Sequence, residues 1–476
     1  MTSSLCVSAV ALAVATGWAL PAAAQAAGDA AVLRELAQMR AQMTQMAQRI
    51  DTLEGQLAAA QARADAASAA AAAATSAAAN ATAVASAAAA VPAPSVTAKP
   101  DTQIAWDGGP KLVGKDGWSF KPRGRLQLDV AGVDAPKGIV PGKSLGVATE
   151  FRRAYIGFDG TMPGGFGYRI EVDLANSAVD LTDIYLTWKA NTDLTLTVGQ
   201  HKPFFGMEDL QSDLFLSFLE RAAFTNAFGF ERRVGASATY NRGALLVQGG
   251  VFSDNSKDLI DSNNSFSLDG RVVFMPKLAG GTLHLGGSAH YRQFNDLTHV
   301  GSYSVRPFSH ATDLRLVNTG NVMAVSGERV LGAELAYVRG RFHAAAESSW
   351  LTAKRDGLAN PTFNGGYAEA GLLLTDDTTA YKGGVFDRIR PKTPLGRGGI
   401  GAVQVNARYD WLDLSDAGIV GGRQQIAGLS ALWIPTDNVR FIVNYGHIWL
   451  KDAALPAGAD RTYSADSLGM RAQFDF

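Results

Sequence analysis

The sequence predicts an all-β fold, a transmembrane antiparallel β-barrel of about 16 strands preceded by an N-terminal α-helical coiled coil. Three observations carry the prediction. An alternation of polar and apolar residues with period two runs from about Trp118 to the C-terminus. The composition, 51 Gly against 17 Pro, suits many long strands. A separate stretch near the N-terminus repeats its apolar residues about every 3.5 positions. The 476 residues carry a net charge of only −1, so nothing global points to nucleic acid, and any electrostatic function must be local.

Taken in order, residues 1–26 read as a secretory signal peptide. The apolar run from Leu5 to Leu20 is followed by small residues that offer cleavage after Ala24 or Ala26. The lone cysteine, Cys6, falls inside that segment. A mature chain without it forms no disulfide and offers neither a thiol nucleophile nor a zinc-thiolate site. No later stretch gives ~18 consecutive strongly apolar residues, as a membrane-spanning helix requires.

Residues 27–64 form the coiled-coil segment. Val32, Leu36, Met39, Met43, Met46, Ile50, Leu53, Leu57, Ala60 and Ala64 are spaced alternately by four and three. A single amphipathic helix lying on a surface would share this pattern but calls for a broader stripe. The stripe predicts an oligomer, and its methionines leave two and three strands equally open. Residues 65–110 form a linker dominated by alanine and closing on VPAPSVTAKP.

Residues 111–476 form the barrel. In RGRLQLDV, Arg123, Arg125, Gln127 and Asp129 alternate with Gly124, Leu126, Leu128 and Val130; YRIEVDL, DIYLTW and LTLTVGQ repeat the pattern. Further strands are expected to start near Val234, Ala244, Ser267, Leu283, Val330, Arg341, Gly366, Val403, Gln425 and Val439. The last strand decides between a soluble sandwich and a membrane barrel. Leu468, Met470, Ala472, Phe474 and Phe476 make one apolar face that ends on an aromatic residue, as a strand facing lipid would. Trp118, Trp188, Trp350, Trp433 and Trp449 lie near strand ends, where a membrane barrel gathers its aromatic girdles.

The segment FRRAYIGFDG does not fit a regular strand. Successive side chains point to opposite faces, so Arg152 and Arg153 cannot both face one way. Alternation places Arg125 and Arg153 in the interior and leaves Arg152 misplaced. Either a bulge near Phe151 turns both arginines inward, or Arg152 lies near the lipid interface, where it costs ~0–1 kcal/mol rather than the ~2–4 of the midplane.

The ordered set GRLQLD (124–129), FRRAYIGFDG (151–160), YRIEVDL (168–174), LTVGQHKPFFGMEDL (196–210), FLER (218–221), GGYAEAGLLLT (365–375), FDRIRPK (386–392) and ARYDWLDLSD (407–416) resembles the phosphate- and polyphosphate-selective porins of the Gram-negative outer membrane. The resemblance implies a 16-stranded homotrimer embedded in outer-membrane lipid and passing small anionic or hydrophilic solutes. It implies that Arg125, Arg152 and Arg153 face the pore, with Lys202 and Arg221 as further basic residues and a constriction loop holding Asp209 and Asp213. The sequence departs from the family at one point: the lysine that follows Gly-hydrophobic-Glu in phosphate-selective members is Asp209 here. An N-terminal coiled coil occurs in some members, and in the periplasm it would be placed to touch peptidoglycan.

Neither a cofactor, a metal nor a catalytic residue is expected. The seven histidines form no HExxH pair, and no phosphate-binding P-loop is present. The rival readings are an envelope tether anchored by the barrel and a barrel-type hydrolase. The latter needs Ser and His adjacent on a lipid-facing surface, and His284 and His290 share a face without such a serine.

Overall fold

A computed structural model describes residue 61 and residues 102–140, 145–295 and 300–476. Apart from residue 61, the expected signal peptide and coiled coil, and the linker before residue 102, lie outside the described residues. The compact unit Pro100–Phe476 is built on a closed 16-strand antiparallel barrel. Its strands are β1 (Ser119–Asp134), β2 (Val147–Met162), β3 (Phe166–Asp173), β4 (Asp180–Lys189), β5 (Leu194–His201), β6 (Arg233–Arg242), β7 (Leu245–Phe252) and β8 (Phe266–Phe274). The second half comprises β9 (Gly281–Gln293), β10 (Val325–Arg339), β11 (Phe342–Arg355), β12 (Thr362–Leu373), β13 (Ala402–Asp416), β14 (Ile419–Thr436), β15 (Val439–Lys451) and β16 (Tyr463–Asp475). Each strand pairs with its neighbour in sequence. β16 closes on β1 from Asp466↔Asp134 to Asp475↔Arg125, so the barrel itself has no open edge.

The last strand shows how the faces are turned. Leu468, Met470 and Phe474 are 57%, 51% and 47% exposed on the outside, while Ser467, Arg471, Gln473 and Asp475 are buried within. This is the inversion expected of a barrel in lipid. Aromatics gather outside at the end with the shorter turns, where Trp188 stacks on Phe166 at 6.2 Å and Trp433 on Phe441 at 5.3 Å.

The interior is not uniformly polar. On β10 to β15, Val330, Leu351, Phe363, Leu412, Ile426 and Ile448 point inward and are buried, although their outward neighbours Leu331, Trp350 and Trp449 are apolar too. The period-two contrast fades on these strands because both faces meet apolar surroundings. What covers the inner face is protein. Residues 202–232, between β5 and β6, and the hairpin Val300–Val305/Val317–Met323, between β9 and β10, supply Phe205, Met207, Phe218, Tyr303 and Phe308 to the same core. From the opposite end, residues 374–401 reach inward, and Arg271 donates to the Gly384 carbonyl at 2.8 Å.

Candidate functional site: the charged constriction

Residues 202–232 pack inside the barrel, where strand carboxylates hold them in place. Gly206, with φ 69, turns the chain into the single-turn helix α1 (Met207–Leu210). The first two helical N–H groups, of Met207 and Glu208, donate to the Glu347 carboxylate on β11 at 2.7 Å each, and the Tyr367 hydroxyl donates to it at 2.8 Å. A second helix, α2 (Ala223–Phe228), starts where the Ala223 N–H donates to Asp410 on β13 at 2.8 Å. Between the two helices, Leu219 N–H donates to Asn444 on β15 at 3.0 Å, and Arg440 donates to the Leu214 carbonyl at 2.7 Å.

The β1–β2 register explains the paired arginines. Gln127 lies opposite Arg153 and Leu128 opposite Phe151, so Arg152 is the extra residue of a β-bulge. Phe151 is exposed on the outside, whereas both arginines reach carboxylates of the inner segment. Arg153 Nε lies 2.8 Å from Asp213, which also pairs with Arg125; Arg125 in turn lies 3.3 Å from Glu171. Arg152 makes a two-point contact with Glu220 at 2.8 and 3.1 Å, and Arg471, itself paired with Asp129 at 2.6 Å, lies 3.4 Å from the same carboxylate. Burial penalises the Asp213 charge, but Arg125 and Arg153 outweigh it and hold the carboxyl well below the usual range. Burial likewise opposes the Glu220 charge, and Arg152 holds that group low.

The remaining candidates form a third group. The Lys202 ammonium donates to the Asp209 carbonyl and lies 3.2 Å from its carboxylate. Arg221 donates to the main-chain carbonyls of Glu208 at 3.0 Å and Gln211 at 2.7 Å. Among the described residues no ion pair is recorded for Arg221. Asp209 is the buried partner of Lys202 and Asp213 that of Arg125 and Arg153, where the charge pattern alone makes them added acids of the loop. Nothing in the charge alternation singles out Glu220, Glu347, Arg408 or Arg471. Glu220 and Arg408 do stand in the quoted FLER and ARYDW stretches. Arg408 joins Glu208 at 2.7 Å to Glu369 at 2.6 Å.

Two cavities flank the constriction. One, of about 720 Å³, lies toward the turn end and is lined by ten basic and six acidic side chains. The other, of about 380 Å³, lies toward the loop hairpin and includes Arg152, Arg306 and Arg315. Arg221 lines both. His284 and His290 are buried on the inner side of the wall, away from lipid, where they bond to Glu334 at 3.1 Å and Asp269 at 2.6 Å. A Ser–His contact does occur within the lumen, where His201 Nε2 lies 2.8 Å from Ser237 Oγ and Nδ1 lies 3.0 Å from the Gly199 carbonyl. Among the described residues no group of three or more His, Cys, Asp or Glu is placed to hold a metal.

Residues 120–476 match the family model described as phosphate-selective porin O and P. The chain is 42% identical over 457 residues to an uncharacterized protein of Caulobacter vibrioides, covering 94% of this chain and 90% of that one. It is 26% identical over 389 residues to porin O of Pseudomonas aeruginosa, covering 72% and 86%. Among solved structures it is similar to an anion-selective porin from Comamonas acidovorans, with a TM-score of 0.51, 13% identity, and coverage of 75% of this chain and 100% of that one.

Proposed function

Because the chain belongs to the family of phosphate-selective porins O and P, and is an outer-membrane β-barrel channel, we propose that it passes small hydrophilic solutes by diffusion with a bias toward anions. The observation that carries this is Arg221. It borders both lumen cavities, and its recorded partners are main-chain carbonyls rather than carboxylates. A cation held by dipoles keeps its field, whereas Arg125, Arg152 and Arg153 have most of theirs cancelled by Asp213, Glu171 and Glu220. Those three arginines act chiefly as anchors of the inner segment and secondarily as the wall that an anion passes.

A tight phosphate or polyphosphate site is not part of this reading. Asp209 occupies the position where the family resemblance expects a lysine, and it binds the nearest ammonium, that of Lys202. The pair leaves no excess positive charge there. The functional unit we propose is a homotrimer joined by a periplasmic coiled coil over residues 27–64.

Reversal potentials of the purified protein in planar bilayers under a KCl gradient test the selectivity. Arg221→Ala should lower the anion-to-cation permeability ratio about fivefold in dilute salt, the equivalent of ~1 kcal/mol for one nearby charge. The change should shrink as salt screens the lumen. A cation-preferring parent channel, or an Arg221→Ala variant with unaltered reversal potential in dilute salt, would overturn the proposal.

A further inference from the structure

The loop-side cavity differs in chemistry from the turn-side one. We propose that it is a saturable binding site for small organic anions that carry a hydroxyl group on a compact apolar body, an inference that rests on the anion-biased channel proposed above. Four guanidinia border it, but two are committed: Arg152 to Glu220 and Arg306 to Asp313, the latter at 2.8 Å. The other two, Arg221 and Arg315, donate to main-chain carbonyls, Arg315 to those of Asp313 and Leu314 at 3.2 and 3.1 Å. Among the described residues neither has a recorded carboxylate partner, so N–H groups remain for a bound oxyanion.

The same cavity has an apolar part formed by Ala223, Ala227, Val305, Phe308 and Ile426. Phe308 is fixed in place. Its backbone has φ 54, and its ring sits in a notch between β14 and β15. A Cβ at Gly428 or Gly446 would lie 2.8 or 2.5 Å from that ring, and its other neighbour is Phe218 at 5.6 Å. A rigid apolar wall adds nothing for inorganic phosphate or chloride, both fully hydrated ions. It favours a solute with hydrocarbon to bury.

Asp410 supplies the third feature. It lines the cavity and is fully buried; one carboxylate oxygen accepts the Ala223 N–H, and the other has no hydrogen-bond partner among the described residues. A buried acceptor left open is costly, and a solute hydroxyl would satisfy it. At ~30 Å³ per water, the cavity of about 380 Å³ matches roughly a dozen waters, enough for one substituted six-membered ring.

The test is block of chloride current through the full-length protein in planar bilayers, with 4-hydroxybenzoate as probe and benzoate and inorganic phosphate as comparators at matched charge concentration. We expect saturable block by 4-hydroxybenzoate, weaker block by benzoate and the weakest by phosphate. Arg315→Gln should raise the half-blocking concentration about tenfold, the cost of one charge-assisted hydrogen bond. Ser304→Glu, which brings a carboxylate to the cavity wall, should do the same without touching an arginine. Equal block by phosphate and 4-hydroxybenzoate, or unchanged block in both variants when each assembles as a heat-modifiable barrel, would refute the site. The two proposals fail separately. Anion preference in KCl without organic-anion block removes only this one, whereas block in a channel without anion preference removes only the selectivity reading.

Discussion

Arg152 occupies the lumen because one extra residue in β2 resets the alternation, and the consequence is a second guanidinium where a regular strand would have turned it toward lipid. Its contact with Glu220, and that of Arg125 and Arg153 with Asp213, change what these arginines do. Removing Asp213 would leave the buried Arg153 without its ion pair, at a cost of about 3–5 kcal/mol, and removing Glu220 would do the same to the half-buried Arg152 at a smaller cost. Lys202 is the residue of this group whose charge can be tuned. Burial first, and then the nearby Arg221, lower its pKa to about 8 against the pull of Asp209. The ammonium is therefore charged below that pH and neutral above it. Anion preference should fall as pH rises from 7 to 9, and Lys202→Arg should abolish the change in that window. Reversal potentials at the two pH values decide, and a parent channel with equal selectivity at both would remove Lys202 from the conducting path.

At the scale of the element, the inner segment 202–232 is held by groups scattered around the wall rather than by its own helices, which are only four and six residues long. Glu347 is the clearest anchor, accepting the Met207 and Glu208 N–H groups and the Tyr367 hydroxyl. Glu347→Gln replaces one accepting oxygen by an amide that cannot accept. Loss of a buried acceptor costs about 1–3 kcal/mol, so the segment should loosen, with larger and noisier single-channel conductance. Tyr367→Phe, which leaves both N–H contacts intact, should have the smaller effect. Equal noise in the two variants would mean that the helix contact does not hold the constriction. The strands themselves were legible in the sequence, their ends less so: expected starts near Val234, Ser267, Val403 and Val439 fall within one residue of β6, β8, β13 and β15, whereas those near Val330, Gly366 and Gln425 fall inside β10, β12 and β14. The inward apolar residues of β10 to β15 were not, because a residue facing a protein-filled lumen and one facing lipid look the same in an alternation pattern.

For the whole molecule, the apolar stripe from Val32 to Ala64 is the sequence feature that bears on assembly. The proposed coiled coil would bury that stripe on association. Native mass spectrometry in detergent should therefore find trimers of the full chain, and deletion of residues 27–64 should lower their stability to dilution without preventing barrel formation. A full chain that is monomeric at low micromolar concentration would remove the trimer from the proposal.

The sequence by itself determined the barrel, its approximate strand number and which face of the last strand meets lipid. These follow from period-two alternation, a local property of the extended chain. It also marked the departure at Asp209. Only the tertiary structure decided the electrostatics of the lumen, because the deciding pairs join residues far apart in the chain: Arg125 meets Asp213 across 88 positions and Arg152 meets Glu220 across 68. A charge read along a strand has a sign but no partner. Whether it draws a solute or holds a loop depends on which carboxylate the fold brings within about 4 Å, where the interaction is strong enough to cancel its field.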